Sequence, residues 1–164
     1  MLPADLLLSI ASSHVLAPPD LCCLNRVNKW FHAATLPLLY KDLTLSILSA
    51  HRAATVACLD ALAANPARAA LVHSLTLEAL PAAGGDDDQG QDWSVDVEPE
   101  LDRRLAGAIR RMVRLRRFHW VVPAGIPGEH TIAALWERRE SLWCGLVGEY
   151  RDSQSWTIRR LVTG

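Results

Sequence analysis

Apolar side chains recur at helical spacing through the first forty residues and alternate with polar ones in several short runs afterwards. Leu6, Leu7 and Ile10 share one helical face, which predicts a helix over residues 4–16. Pro3 suits its first turn, and Asp5 favours the positive end of the helix dipole. The stretch "APPD" stops the chain and restarts it. Asp20 is placed to cap a second helix running to about Asn28, with Leu21, Leu24 and Val27 along one stripe. Asn28 can start a third short helix holding Trp30, Phe31 and Ala34. Pro37 is expected to end it, because the residue before a proline avoids helical geometry.

After Tyr40 the period changes. "DLTLS" alternates like a strand. A helix is predicted over "SAHRAATVACLDALAANP", with Ala53, Val56, Leu59 (or Ala57) and Leu62 (or Ala63) facing inward and Pro66 beyond its end. A strand follows from Val72 to Leu77. "PAAGGDDDQGQDW" has little to bury and reads as a loop or disordered insertion. Glu100 to Leu115 is helical, with Leu101, Leu105, Ala108, Met112 and Leu115 on one stripe. "RRFHWVV" reads as a strand, "TIAALWERRESLWCGLVGEY" as a helix and "SWTIRRLV" as a final strand.

Strand centres near Leu43, Leu75, Phe118 and Ile158 are then separated by one helix each, a loose repeat of one strand–helix unit. Stacking such units puts strands on one face and helices on the other. An ordinary α/β layer is the alternative. A stacked array needs a cap on its last unit. Trp136, Trp143, Trp156, Leu146, Val147, Ile158 and Leu161 load the final quarter with apolar surface, so that edge is expected to be under-covered.

The chain has 164 residues, 50% of them hydrophobic, enough for one domain or two small ones. Its net charge of −1 argues against bulk capture of nucleic acid or of an acidic membrane surface. No stretch is long and apolar enough to span a bilayer. A secretion signal is a poor fit, since no Lys or Arg precedes Arg26 and Pro3 and Asp5 interrupt the apolar run. Cys22, Cys23, Cys58 and Cys144 form no CxxC and lack metal-ligand spacing, so free and mostly buried thiols in a reducing compartment are expected.

Candidate chemistry is sparse. Seven arginines fall between 103 and 117; on a continuous helix Arg103, Arg110, Arg114 and Arg117 would share one side. No aromatic residues interleave with them there, which favours a solvated outer face over a phosphate- or RNA-binding one. Asp86, Asp87, Asp88, Asp92, Asp96, Glu98, Glu100 and Asp102 lack EF-hand spacing and read as a solvated acidic loop, with Trp93 as an anchor. The six histidines are scattered singly. No nucleophile elbow, Walker loop, dinucleotide glycine set or HExxH occurs, so neither catalysis nor a cofactor is expected.

The opening segment poses a different question. Its first forty residues carry sixteen large apolar side chains. A unit of that size has too much surface for its volume to bury them all. The remainder must pack on the rest of the chain or on a partner.

"LPADLLLSI", "PPDLCCLNRVNKWF" and "PLLY" together resemble the F-box, in the form found at the head of many fungal F-box proteins. Leu2 and Pro3 match the family's opening Leu-Pro, and Asp5 replaces its usual Glu. Leu6, Leu7 and Ile10 match its first helix; Pro19, Asp20, Leu21, Leu24 and Val27 match its second; Trp30 and Phe31 match the aromatic positions of its third. "PLLYKDLTL" and "LVHSLTL" look like the transition into leucine-rich-like repeats. The resemblance implies an α/β chain with a three-helix F-box over 1–45 and a short irregular strand–helix array over 46–164, interrupted by an acidic insertion near 83–98. It implies binding of a Skp-type adaptor of a cullin–RING ubiquitin ligase through Leu2, Pro3, Leu6, Leu7, Ile10, Pro19, Leu21, Leu24, Val27 and Trp30. The repeats would hold a protein substrate, without catalysis by the chain itself, in the cytoplasm or nucleus. The competing expectation is a truncated or orphan repeat module that binds protein or nucleic acid without a ligase.

Overall fold

A computed structural model of the chain describes Leu6, Ser9 and residues 16–48, 50–79, 98–122, 126–139, 142–148 and 156–157, the last two stretches mainly by their backbone course. Leu6 and Ser9 are helical. Leu2, Pro3, Leu7 and Ile10 lie outside the described residues, as do Trp93, Ile158 and all of the acidic insertion except Glu98.

Helix α1 spans Pro18–Asn25 and α2 spans Lys29–Lys41. α1 begins two residues before Asp20, since Pro18 and Pro19 occupy a first turn whose N–H groups have no helical partner anyway. Its N-cap is Ala17, not Asp20 as the sequence suggested. Ala17 has no side-chain acceptor, and Asp20 instead reaches back to accept from the Ala17 N–H at 2.9 Å. Asn28 does cap α2, its Oδ1 accepting from the Trp30 and Phe31 N–H groups at 2.9 and 3.0 Å. Pro37 does not end α2, which continues four residues further. A proline here removes only the bond to the Ala33 carbonyl, and both residues are exposed, so water can take the freed acceptor. Within α1 and α2 only Thr35 is buried. Its hydroxyl donates to the Phe31 carbonyl at 2.8 Å and lies 3.2 Å from the Asn25 side-chain amide, which ties the two helices together.

Among the described residues the apolar core begins where the sheet begins. Strands β1 (Asp42–Ser46), β2 (Ser74–Glu78), β3 (Arg117–Val121) and β4 (Trp143–Gly148) lie side by side in chain order, all parallel. A short β5 (Trp156–Thr157) adds antiparallel to β4. Between the parallel strands run α3 (Arg52–Ala64) with the one-turn α4 (Pro66–Ala69), then α5 (Pro99–Arg111), then α6 (Glu129–Trp136). α3 packs on α5 and α5 on α6, so the helices follow the order of the strands.

Register sets the rows. Leu43 lies opposite Leu75 and Leu75 opposite Phe118; Leu45 lies opposite Leu77 and Leu77 opposite Trp120. These rows form one cluster with Leu59 and Leu62 of α3 and with Leu101, Leu105 and Ile109 of α5. Phe118 and Trp120, stacked with ring centroids 6.4 Å apart, are its largest members. The stripe foreseen on α5 is buried throughout. On α3, Thr55 faces inward beside Leu59 and Leu62, while Ala53 and Ala57 are exposed. The segment read as one long helix after Thr131 divides instead into α6 and β4. The fourth parallel strand is therefore centred on residues 144–146, not near Ile158, because two glycines and two β-formers in "WCGLVG" disfavour helix.

Asp102 is the main polar member of the interior. It was expected in a solvated loop, yet it is only 3% exposed. Its carboxylate accepts from the N–H groups of His130 and Thr131 at 2.9 and 3.0 Å and so caps α6 from α5. The N-cap residue of α6 is Gly128, which brings no side chain of its own; a Cβ there would run into the Asp102 carboxylate. Asp102→Ala should cost about 2–3 kcal/mol, combining a lost cap with buried donors left unpaired. Gly128→Ala should be comparably harmful. Denaturant unfolding measures both, and a loss below about 0.5 kcal/mol for Asp102→Ala would contradict this role.

Candidate interaction surfaces

The N-terminal helices show what a forty-residue unit cannot bury. Leu6 is 50% exposed, Val27 62% and Trp30 47%. Pro19 is exposed, while Leu21, Leu24 and Phe31 are half-buried between the helices. Of the residues that the sequence assigned to adaptor binding, these six outside Phe31 can be placed: Leu6, Pro19, Leu21, Leu24, Val27 and Trp30. The Asn28 cap fixes the backbone at Trp30, and the Lys29 ammonium sits 5.3 Å from its ring centroid. Cys22 and Cys23 are also exposed, contrary to the expectation of buried thiols. Near α6, Trp136, which the sequence named in the apolar load of the final quarter, is exposed with its ring facing Arg139 at 5.4 Å, and Ile126 and Ile132, which it did not name, are exposed too.

A second surface is the sheet face turned away from the helices. Strand alternation puts Asp42, Ser74 and Arg117 in one row, Thr44, Thr76 and His119 in the next, and Ser46, Glu78 and Val121 in the third. Arg117 reaches across Ser74 to bond Asp42 at 3.1 Å. At the carboxyl end of β1 an open hollow of about 460 Å³ is lined by Thr44, Ser46, His51, Thr55 and Glu78, among others. Thr55 there donates to the Ser46 carbonyl at 2.5 Å. These rows offer hydroxyls, an imidazole and a carboxylate for hydrogen bonding. Among the described residues no group of three His, Cys, Asp or Glu is arranged to hold a metal ion, and no helix is long and apolar enough to cross a membrane.

The arginine-rich stretch does not form one helical face. α5 stops at Arg111, so Arg114 lies in the following turn and Arg117 opens β3. Arg104 pairs with Asp60 and Glu100, Arg103 with Glu100, Arg110 with Glu137 and Arg117 with Asp42. Arg52 bonds Glu98, which raises the guanidinium's affinity for its proton and lowers that of the carboxyl. All are surface pairs, which contribute little each.

Comparison of the chain with protein-family models, with curated proteins and with solved structures finds no match in any of the three.

Burial pushes the Cys58 thiol up, so it stays protonated at neutral pH, whereas Cys22 and Cys23 are open to solvent. A thiol reagent applied to the native chain should modify Cys22 and Cys23 well before Cys58, as read by peptide mass spectrometry. Equal rates at all three would contradict the placement of α1 on the outside.

Proposed function

We propose that the chain is an F-box-type substrate receptor: its N-terminal helices dock on a Skp-type adaptor of a cullin–RING ubiquitin ligase, and its strand–helix array holds a protein substrate. One observation carries the reading. Leu6 is helical and exposed, Val27 stands exposed in the turn between α1 and α2, and Trp30 in the first turn of α2, while among the described residues the apolar core starts at Leu45. Exposed large apolar side chains on a helical unit call for a partner surface, and a helical adaptor groove supplies one. The parallel array after residue 42, with the largely polar sheet face turned away from its helices, suits the second half of the role. The chain performs no chemical step in this scheme; the recruited ligase acts on a substrate held close to it. The cytoplasm or nucleus is where such a ligase would work.

Leu6→Asp and Val27→Asp each test the proposal. Both side chains are exposed in the isolated chain, so either variant should unfold within about 0.5 kcal/mol of the parent. In the complex the same carboxylate would be buried without a partner, at a cost of several kcal/mol. Calorimetry against a purified Skp-type adaptor should show tight one-to-one binding by the parent and none by either variant. A folded parent chain that does not bind the adaptor would overturn the proposal and leave a strand–helix module acting without a ligase.

A further inference from the structure

The amino ends of the parallel strands meet at one end of the molecule. The His73 N–H donates to the Lys41 carbonyl at 2.8 Å, and the Arg116 and Arg117 N–H groups donate to the His73 carbonyl at 2.9 and 3.0 Å. The turn from α5 to β3 arrives at the same end. Met112 and Leu115 of that turn are fully buried, so Arg111, Arg114 and Arg116 between and beside them must point outward. Two carboxylates described at this end are engaged: Asp42 with Arg117, and Glu137 with Arg110. Lys41, Arg111, Arg114 and Arg116 have no acidic partner among the described residues. Arg110 and Arg111 are accounted for by the carbonyl end of the α5 dipole, but Arg114 and Arg116 lie outside the helix.

Between them is a hollow of about 330 Å³ lined by His73, Val113, Arg114, Leu115 and Arg116. The His73 Nδ1 lies 2.8 Å from the Leu71 carbonyl, which can only accept, so that nitrogen carries the proton and Nε2 is left for other contacts. Val113, 62% exposed, adds an apolar wall.

We propose that this basic end is a docking surface for an acidic peptide segment of a partner protein, with a carboxylate side chain seated between Arg114 and Arg116. Arginine forks suit bidentate carboxylate binding, and Val113 suits the methylene stem of a Glu. A nucleic acid fits less well. Among the described residues the hollow has no aromatic platform for bases beyond His73. Apart from Lys41, the last residue of α2, this surface lies outside the N-terminal helices, and it does not depend on the adaptor reading.

The test is fluorescence anisotropy on the full chain with a dye-labelled Glu/Gly peptide, and with a single-stranded oligonucleotide of equal charge. The parent should bind the peptide saturably, more weakly as salt rises. Arg114→Glu/Arg116→Glu should weaken it at least about tenfold. Arg103→Glu, at the opposite end of α5, should leave it unchanged. Arg114→Gln/Arg116→Gln, the milder pair, guards against misfolding and should weaken binding in the same direction. No peptide binding, equal binding by both double variants and the parent, or tighter oligonucleotide binding lost in those variants would each overturn the proposal.

Discussion

A parallel strand pair cannot be closed by a tight turn; the chain must cross back over the sheet before the next strand starts. In this molecule that crossing is repeated three times, and each return is made by a helix. The helices bury the Leu45–Leu77–Trp120 and Leu43–Leu75–Phe118 rows. The opposite rows then carry Thr44, Thr76 and His119. The same geometry gathers strand beginnings and helix ends at one pole, where Lys41, Arg111, Arg114 and Arg116 collect, and helix beginnings at the other, where Asp102 caps α6. Polar sheet face, basic pole and inter-helix cap thus share one topological cause.

The N-terminal helices stand outside that logic. They cross no strand, and of α1 and α2 only Thr35 is buried. Short helices are marginal without tertiary packing. Tyr40 packs on the core, and the described contacts that hold the rest are local: the Asn28 cap, the Asp20 bond to the Ala17 N–H and the Thr35–Asn25 contact. Such a unit presents Val27 and Trp30 to solvent and gains most from whatever covers them.

The sequence made the parallel array readable where period and punctuation agreed. "DLTLS", "SLTLE" and "RFHWV" alternate cleanly, and the α5 stripe is continuous. It misled where two signals competed. "LWCGLVG" is short and apolar, a pattern that period alone cannot divide between helix and strand. Pro37 is a helix stop by rule, yet its position on an exposed side makes the lost bond cheap. Asp102 looked like one more residue of an acidic run. Its role depends on Gly128, twenty-six positions later, leaving room for its carboxylate, and no local window contains that. The exposure of Leu6, Val27 and Trp30, by contrast, is one of the two outcomes that the size of the unit allowed, the other being packing on the rest of the chain.

The proposed function requires α1 and α2 to be an exposed docking unit beside the sheet and helix core. Amide exchange on the free chain and on its mixture with a Skp-type adaptor tests it directly. In the free chain α1 and α2 should exchange much faster than β2, β3 and α5, since locally held helices open without global unfolding. With adaptor at about 100 times its Kd, α1 and α2 should slow by about a hundredfold while the sheet stays as it was. Helices α1 and α2 protected as strongly as β2 and β3 in the free chain, and unchanged by the adaptor, would contradict the account.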